Sequence, residues 1–163
     1  ELLADLKKEN PVAAAQARML CNIAETHVFT NTKQEYFSLG EDMYQRMLED
    51  IATAEKFIYM EYFIIEEGKF WNSILEILKQ KAASGVEVKL LYDDIGCMMT
   101  LPGDYHKTLR TYGIDAMPFS RLKGNADSEF NNRNHRKILV IDGKIGYTGG
   151  VNIADEYINE IVK

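Results

Sequence analysis

His135, Lys137 and Asp142 are spaced as His-x-Lys-x4-Asp, and Gly149-Gly150-Val151-Asn152 begins seven residues after the aspartate. An imidazole, a fixed cation and a carboxylate thus stand beside a glycine turn, which is a kit for attacking phosphodiesters. Histidine titrates near neutrality, so His135 can attack phosphorus as the neutral base or protonate a departing oxygen as imidazolium. Lys137 would meet the phosphoryl oxygens as negative charge gathers on them. Side chains two apart on a strand leave the same face, so these two can converge on one anion. Gly149 and Gly150 let backbone N–H groups approach a phosphate closely, and Asn152 can add an amide donor.

Plainer roles compete at several of these positions. Asp142 precedes Gly143 between two apolar runs and equally suits the first residue of a hairpin turn, and its parity along the strand differs from that of His135. Asn152 also suits a helix cap ahead of Ala154-Asp155-Glu156. His27 and His106 have no partner pattern and are expected at the surface. The histidines and Asp93-Asp94 show no metal-ligand spacing, so neither a metal nor another cofactor is expected.

The elements that must hold this kit are legible upstream. Residues 2 to 24 are rich in Ala, Leu, Met, Lys and Glu and predict a helical leader, with Pro11 where a helix starts or breaks. Met43, Tyr44, Met47, Leu48 and Ile51 recur at helical spacing behind Glu41-Asp42, giving an amphipathic helix over 41–54. Phe57 to Ile65 reads as a buried strand. A second apolar stripe, Phe70, Trp71, Ile74, Leu75 and Leu78, gives a helix that stops at Gly85, followed by a strand over 86–92. Strand–helix–strand order predicts parallel pairing, and it puts Asp93-Asp94 at a strand's carboxyl end, either as ligand-edge groups or as solvated loop acids. A short helix over 104–112, a strand over 114–118, a polar loop over 120–134 and a hairpin over 137–148 complete a mixed α/β domain, its sheet flanked by helices.

Composition narrows the partners. With 46% hydrophobic residues in 163, the chain can bury a real core. A net charge of −6 and a pI near 5.1 argue against a general nucleic-acid binder, and none is expected as a partner. From Pro118 to Lys144, however, six cations face three anions, so positive charge gathers around the motif. Cys21 and Cys97 are too sparse for a disulfide framework. The most apolar run, nine residues from Phe57, is far short of a membrane span. A chain that opens on Glu1 and stops at Lys163 is expected to be a soluble piece of something longer.

The stretch Asn131 to Gly143, with Gly149 to Tyr157, resembles the first catalytic motif of bacterial cardiolipin synthases of the phospholipase D superfamily. Glu61-Tyr62-Phe63-Ile64 and Ala82 to Asp93 extend the likeness from about Phe37 to Lys163. The resemblance implies a phospholipase D-like half-domain over 36–163, behind a leader over 1–35. It implies two-step phosphatidyl transfer through a phosphohistidine, forming cardiolipin and glycerol from two phosphatidylglycerol molecules at the cytoplasmic face of the bacterial membrane. His135 matches the motif histidine, as nucleophile or general acid; Lys137 matches the phosphate-binding lysine, Asp142 the motif aspartate and Asn152 the glycine-turn asparagine. Such enzymes oppose two motifs, whereas this sequence holds one, since neither His27 nor His106 has lysine two residues later. The chain is therefore expected to be inactive alone and to need a second half or a second copy. The alternatives are a homodimeric phosphodiesterase or nuclease, and a non-catalytic module binding phosphate or membrane.

Overall fold

The computed structural model describes residues 1–121 and 132–161, and the chain divides into two units, Glu1–Tyr36 and Phe37–Lys163. In the first unit Pro11 both ends one helix and starts the next. α1 spans Leu2–Glu9 and α2 spans Pro11–Ala24, with Pro11 in the first turn and the Asn10 side chain accepting from Ala13 N–H at 3.0 Å. Proline tolerates that first turn because its missing N–H has no helical partner there anyway.

The second unit runs α3 (Gly40–Ala52), β1 (Phe57–Tyr62), α4 (Lys69–Ala83), β2 (Glu87–Asp93), α5 (Tyr105–Thr111), β3 (Ile114–Phe119), β4 (Lys137–Ile141), β5 (Ile145–Thr148) and a 3-10 helix, Asp155–Ile158. The sheet order is β3-β2-β1-β4-β5. β1 and β2, and β2 and β3, pair in parallel; β4 pairs antiparallel with both β1 and β5. The mixed sheet follows from the connections: α4 and α5 carry the chain back for parallel pairing, whereas the Asp142-Gly143 turn can join only antiparallel neighbours. Both turn residues have positive φ, 53° and 67°, and Lys144 N–H closes on Ile141 C=O at 2.9 Å.

One consequence positions the site. Because β4 is antiparallel to β1, with Lys137 opposite Tyr62, the start of β4 lies beside the ends of β1 and β2. The inward rows, Ile58, Met60, Val88, Leu90, Leu139 and Ile141 among them, join Met47 and Ile51 of α3 and Phe70, Trp71, Ile74 and Leu78 of α4 in one core. On the sheet's other face Tyr59, Glu61, Leu91, Met117, Ile138 and Val140 line an open groove of about 410 Å³.

β1 is shorter than the apolar run from Phe57 to Ile65. After Tyr62 the chain leaves the ladder, and Ile64 and Glu66 bond instead to the segment after β5: Ile153 N–H donates to Ile64 C=O at 3.2 Å and Glu66 N–H to Ile153 C=O at 2.9 Å. His106, expected at the surface, is buried on α5; desolvation lowers its basicity and nearby Arg121 lowers it further. Most of the polar loop expected over 120–134 lies outside the described residues. Among the described residues no helix is long and apolar enough to cross a membrane.

Candidate active site

His135 stands just before β4 rather than in it, and its ring is exposed while Lys137, the first residue of the strand, is buried. The two side chains meet nonetheless. Lys137 Nζ lies 3.1 Å from His135 Nδ1 and donates to His135 C=O at 2.8 Å. An ammonium has only donors, so Nδ1 accepts in this contact and the ring proton sits on Nε2. Phe63, just past β1, floors the pair: its ring centroid is 4.5 Å from that of His135, and Lys137 Nζ sits 5.2 Å from it as a cation over the face. Burial pulls the Lys137 ammonium below the ordinary lysine range. Among the described residues no carboxylate pairs with it.

Asn152 comes to the same edge. It is buried, its side-chain oxygen accepts from Ile64 N–H at 3.1 Å, and its Nδ2 donates to the Tyr157 hydroxyl at 2.9 Å. It does not cap the following turn, whose N-cap is Ala154. Gly149 and Gly150 are exposed, with open space where a Cβ would stand.

Asp142 lies elsewhere, past the far end of β4. Its carboxylate accepts from the N–H groups of Glu55 at 2.9 Å, Lys56 at 2.8 Å and Phe57 at 2.9 Å. The N–H groups of Phe57 and Glu55 hold it below the ordinary aspartate range. The turn role and the motif spacing therefore coincide: the residue pins the hairpin to the entrance of β1, and it does not touch His135.

Several groups at the edge carry no motif spacing. Asp93 is a fully buried anchor and not a solvated loop acid. Its Oδ1 accepts from Ile95 and Gly96 N–H, both at 3.0 Å, and from Arg133 at 3.2 Å, while Oδ2 accepts from Asn134 N–H at 3.0 Å. Glu61 accepts from Asn134 Nδ2 and lies 3.5 Å from Arg136. Glu61 had one signal in the sequence, a carboxylate interrupting a buried strand; Asp93 had its place at a strand's carboxyl end. Among the described residues no cluster of three or more His, Cys, Asp or Glu side chains could hold a metal ion.

The mixed five-stranded sheet with flanking helices matches the fold of phospholipase D-like proteins. NucT from Helicobacter pylori superposes with a TM-score of 0.57 at 17% identity, covering 75% of this chain and 74% of that one. Nuc, a phospholipase D family member from Salmonella typhimurium, superposes with a TM-score of 0.50 at 20% identity, covering 72% and 68%. The family described as "Cardiolipin synthase, PLD-like domain" matches residues 47–161, and the chain belongs to it. Cardiolipin synthase 1 of Staphylococcus epidermidis is 39% identical over 142 residues, 86% of this chain and 29% of that protein. A probable cardiolipin synthase of Bacillus subtilis is 37% identical over 141 residues, 85% of this chain and 28% of that protein. The chain thus spans less than a third of the length of these relatives.

Proposed function

We propose that the chain supplies one half of the catalytic centre of a phosphatidyltransferase that forms cardiolipin and glycerol from two phosphatidylglycerol molecules. The observation that carries this reading is Lys137: a buried ammonium beside an accessible imidazole, with no carboxylate to neutralise it among the described residues. An unneutralised cation in such a place is costly, and a phosphate diester arriving at His135 supplies the missing charge. The relatives are named cardiolipin synthases, which supports cardiolipin as the product of the transfer.

In this mechanism Lys137 turns from His135 Nδ1 to a phosphoryl oxygen, the exposed ring gives its Nε2 proton to solvent and takes one from solvent at Nδ1, and the freed Nε2 lone pair attacks phosphorus. The P–O bond to glycerol breaks as the histidine of a second His-x-Lys-x4-Asp half protonates that oxygen. A hydroxyl of the second phosphatidylglycerol then attacks phosphorus, gives its proton to that second histidine and breaks the P–N bond, regenerating His135. Gly149, Gly150 and Asn152 border the phosphate position, and Asp142 holds β4 from its far end as a positioning residue. The reaction takes place at the cytoplasmic face of a bacterial membrane, with no cofactor and no nucleic acid involved.

Thin-layer chromatography of phosphatidylglycerol vesicles incubated with the full-length protein tests this. Cardiolipin and glycerol are expected from the full-length protein and no turnover from this chain alone; unchanged lipid with the full-length protein would overturn the reading. Diester hydrolysis by this chain alone, with a dimer mass in light scattering, would establish the homodimeric alternative instead.

A further inference from the structure

His135 lies outside the β-ladder, so β4 pairing does not by itself fix its position. Asn134 does, through three bonds. Its Oδ1 accepts from Arg136 N–H at 3.2 Å, closing a short turn with His135 at its centre. Its backbone N–H donates to Asp93 Oδ2 at 3.0 Å, and its Nδ2 donates to Glu61. The two carboxylates come from the ends of adjacent parallel strands, and each also meets an arginine of the same segment: Asp93 meets Arg133 at 3.2 Å and Glu61 meets Arg136 at 3.5 Å. We infer that Glu61 and Asp93 form a carboxylate clamp that grips Asn134 and thereby sets the His135 ring over Phe63 and within reach of Lys137. They are positioning residues, since neither touches the imidazole.

The division of labour follows from burial. Asp93 is fully enclosed, and its Oδ1 accepts from Ile95 and Gly96 N–H and from Arg133 while Oδ2 holds Asn134 N–H, so it fixes the backbone of Asn134 relative to β2. Glu61 is partly open to the groove on the outer sheet face and holds the side chain of Asn134, the group that closes the turn. Loosening Glu61 therefore frees the ring while leaving β1 and β4 paired. A misplacement of about 1 Å at a reacting group can cost on the order of 10²-fold in rate.

The clamp's effect on turnover rests on the transferase reading, but its effect on His135 does not. In the full-length protein, Glu61→Ala, Glu61→Gln and Asp93→Asn are compared with wild type by kcat and KM for phosphatidylglycerol. The rate at which diethylpyrocarbonate acylates His135, followed by peptide mass, is measured alongside. Glu61→Ala is expected to lower kcat about 10- to 100-fold with KM near wild type, and to speed acylation as the ring leaves Lys137 and Phe63. Glu61→Gln, whose amide oxygen still accepts from Asn134, is expected to recover most of both. Unchanged kcat and unchanged acylation in Glu61→Ala would overturn the clamp, and this holds even if Asp93→Asn fails to fold. Should wild type make no cardiolipin, faster acylation in Glu61→Ala still supports the clamp while the transferase reading falls.

Discussion

The two ends of β4 are built on opposite principles. At the Asp142 end a carboxylate is saturated by three backbone N–H groups from residues 85 to 87 positions away, and it fastens the hairpin to the start of β1. At the His135 end an exposed imidazole meets a buried ammonium, and both keep capacity for a ligand. One motif therefore spans a finished end and an unfinished one. Spacing in sequence groups His135, Lys137 and Asp142 together; the four strand residues from Ile138 to Ile141 keep the aspartate apart from the other two.

The sharpest way to break this contrast is to substitute the unfinished end. His135→Ala and Lys137→Ala in the full-length protein are each expected to lower phosphatidyl transfer by about 10²- to 10⁴-fold, with the thermal midpoint close to wild type. Transfer at the normal rate in His135→Ala would remove that residue from the chemistry.

Next comes the finished end, where stability and not turnover is expected to suffer. Asp142→Asn lowers the thermal midpoint by several degrees, while kcat per folded molecule falls far less than in His135→Ala. The sign with pH follows from the lowered pKa of Asp142 in the folded chain. Its contribution is fully present above the ordinary aspartate value of 3.8 and is lost as pH falls through the lower folded-state value. The gap in melting temperature between wild type and Asp142→Asn should accordingly narrow below pH 3.8, and a gap that widened there would contradict the anchoring role.

A smaller effect is expected at Gly96, which packs against Phe63. A Cβ on Gly96 would stand 2.2 Å from the Phe63 carbonyl oxygen, so backbone must shift in Gly96→Ala. Overpacking of this kind costs about 1–3 kcal/mol. Because Phe63 floors the His135 ring, kcat is expected to fall several-fold, and a variant as active as wild type would show that Phe63 does not set the ring.

The smallest effect is expected at Asp155, which caps α4 from outside the helix by accepting from Lys69 and Phe70 N–H, both at 2.8 Å. Asp155→Ala should cost about 1 kcal/mol in denaturant unfolding and leave kcat per folded molecule unchanged.

Local order was legible in the sequence because it is written locally. The apolar stripes of α3 and α4, the Gly85 stop and the Asp142-Gly143 turn each act within a few residues, and the parallel pairing of β1 and β2 follows from the helix between them. The His135–Lys137 contact was legible for the same reason, although His135 reaches it from outside the strand. What escaped were bonds between residues far apart in the chain. Asn134 to Glu61 spans 73 positions, and Asn152 to Ile64 spans 88. Such pairs leave no period to read, so in the sequence Asn152 suits a helix cap as well as a phosphate-binding amide, and Asp93 a solvated acid as well as a ligand-edge group.

The chemistry turns on which atom takes the phosphatidyl group. The most direct measurement is to quench the full-length protein in alkali during turnover of phosphatidylglycerol labelled at phosphorus and to map the label by peptide mass. An acid-labile phosphatidyl adduct on the peptide holding His135, absent in His135→Ala, is the expected result. Label on another residue, or full turnover with no adduct at His135, would contradict it.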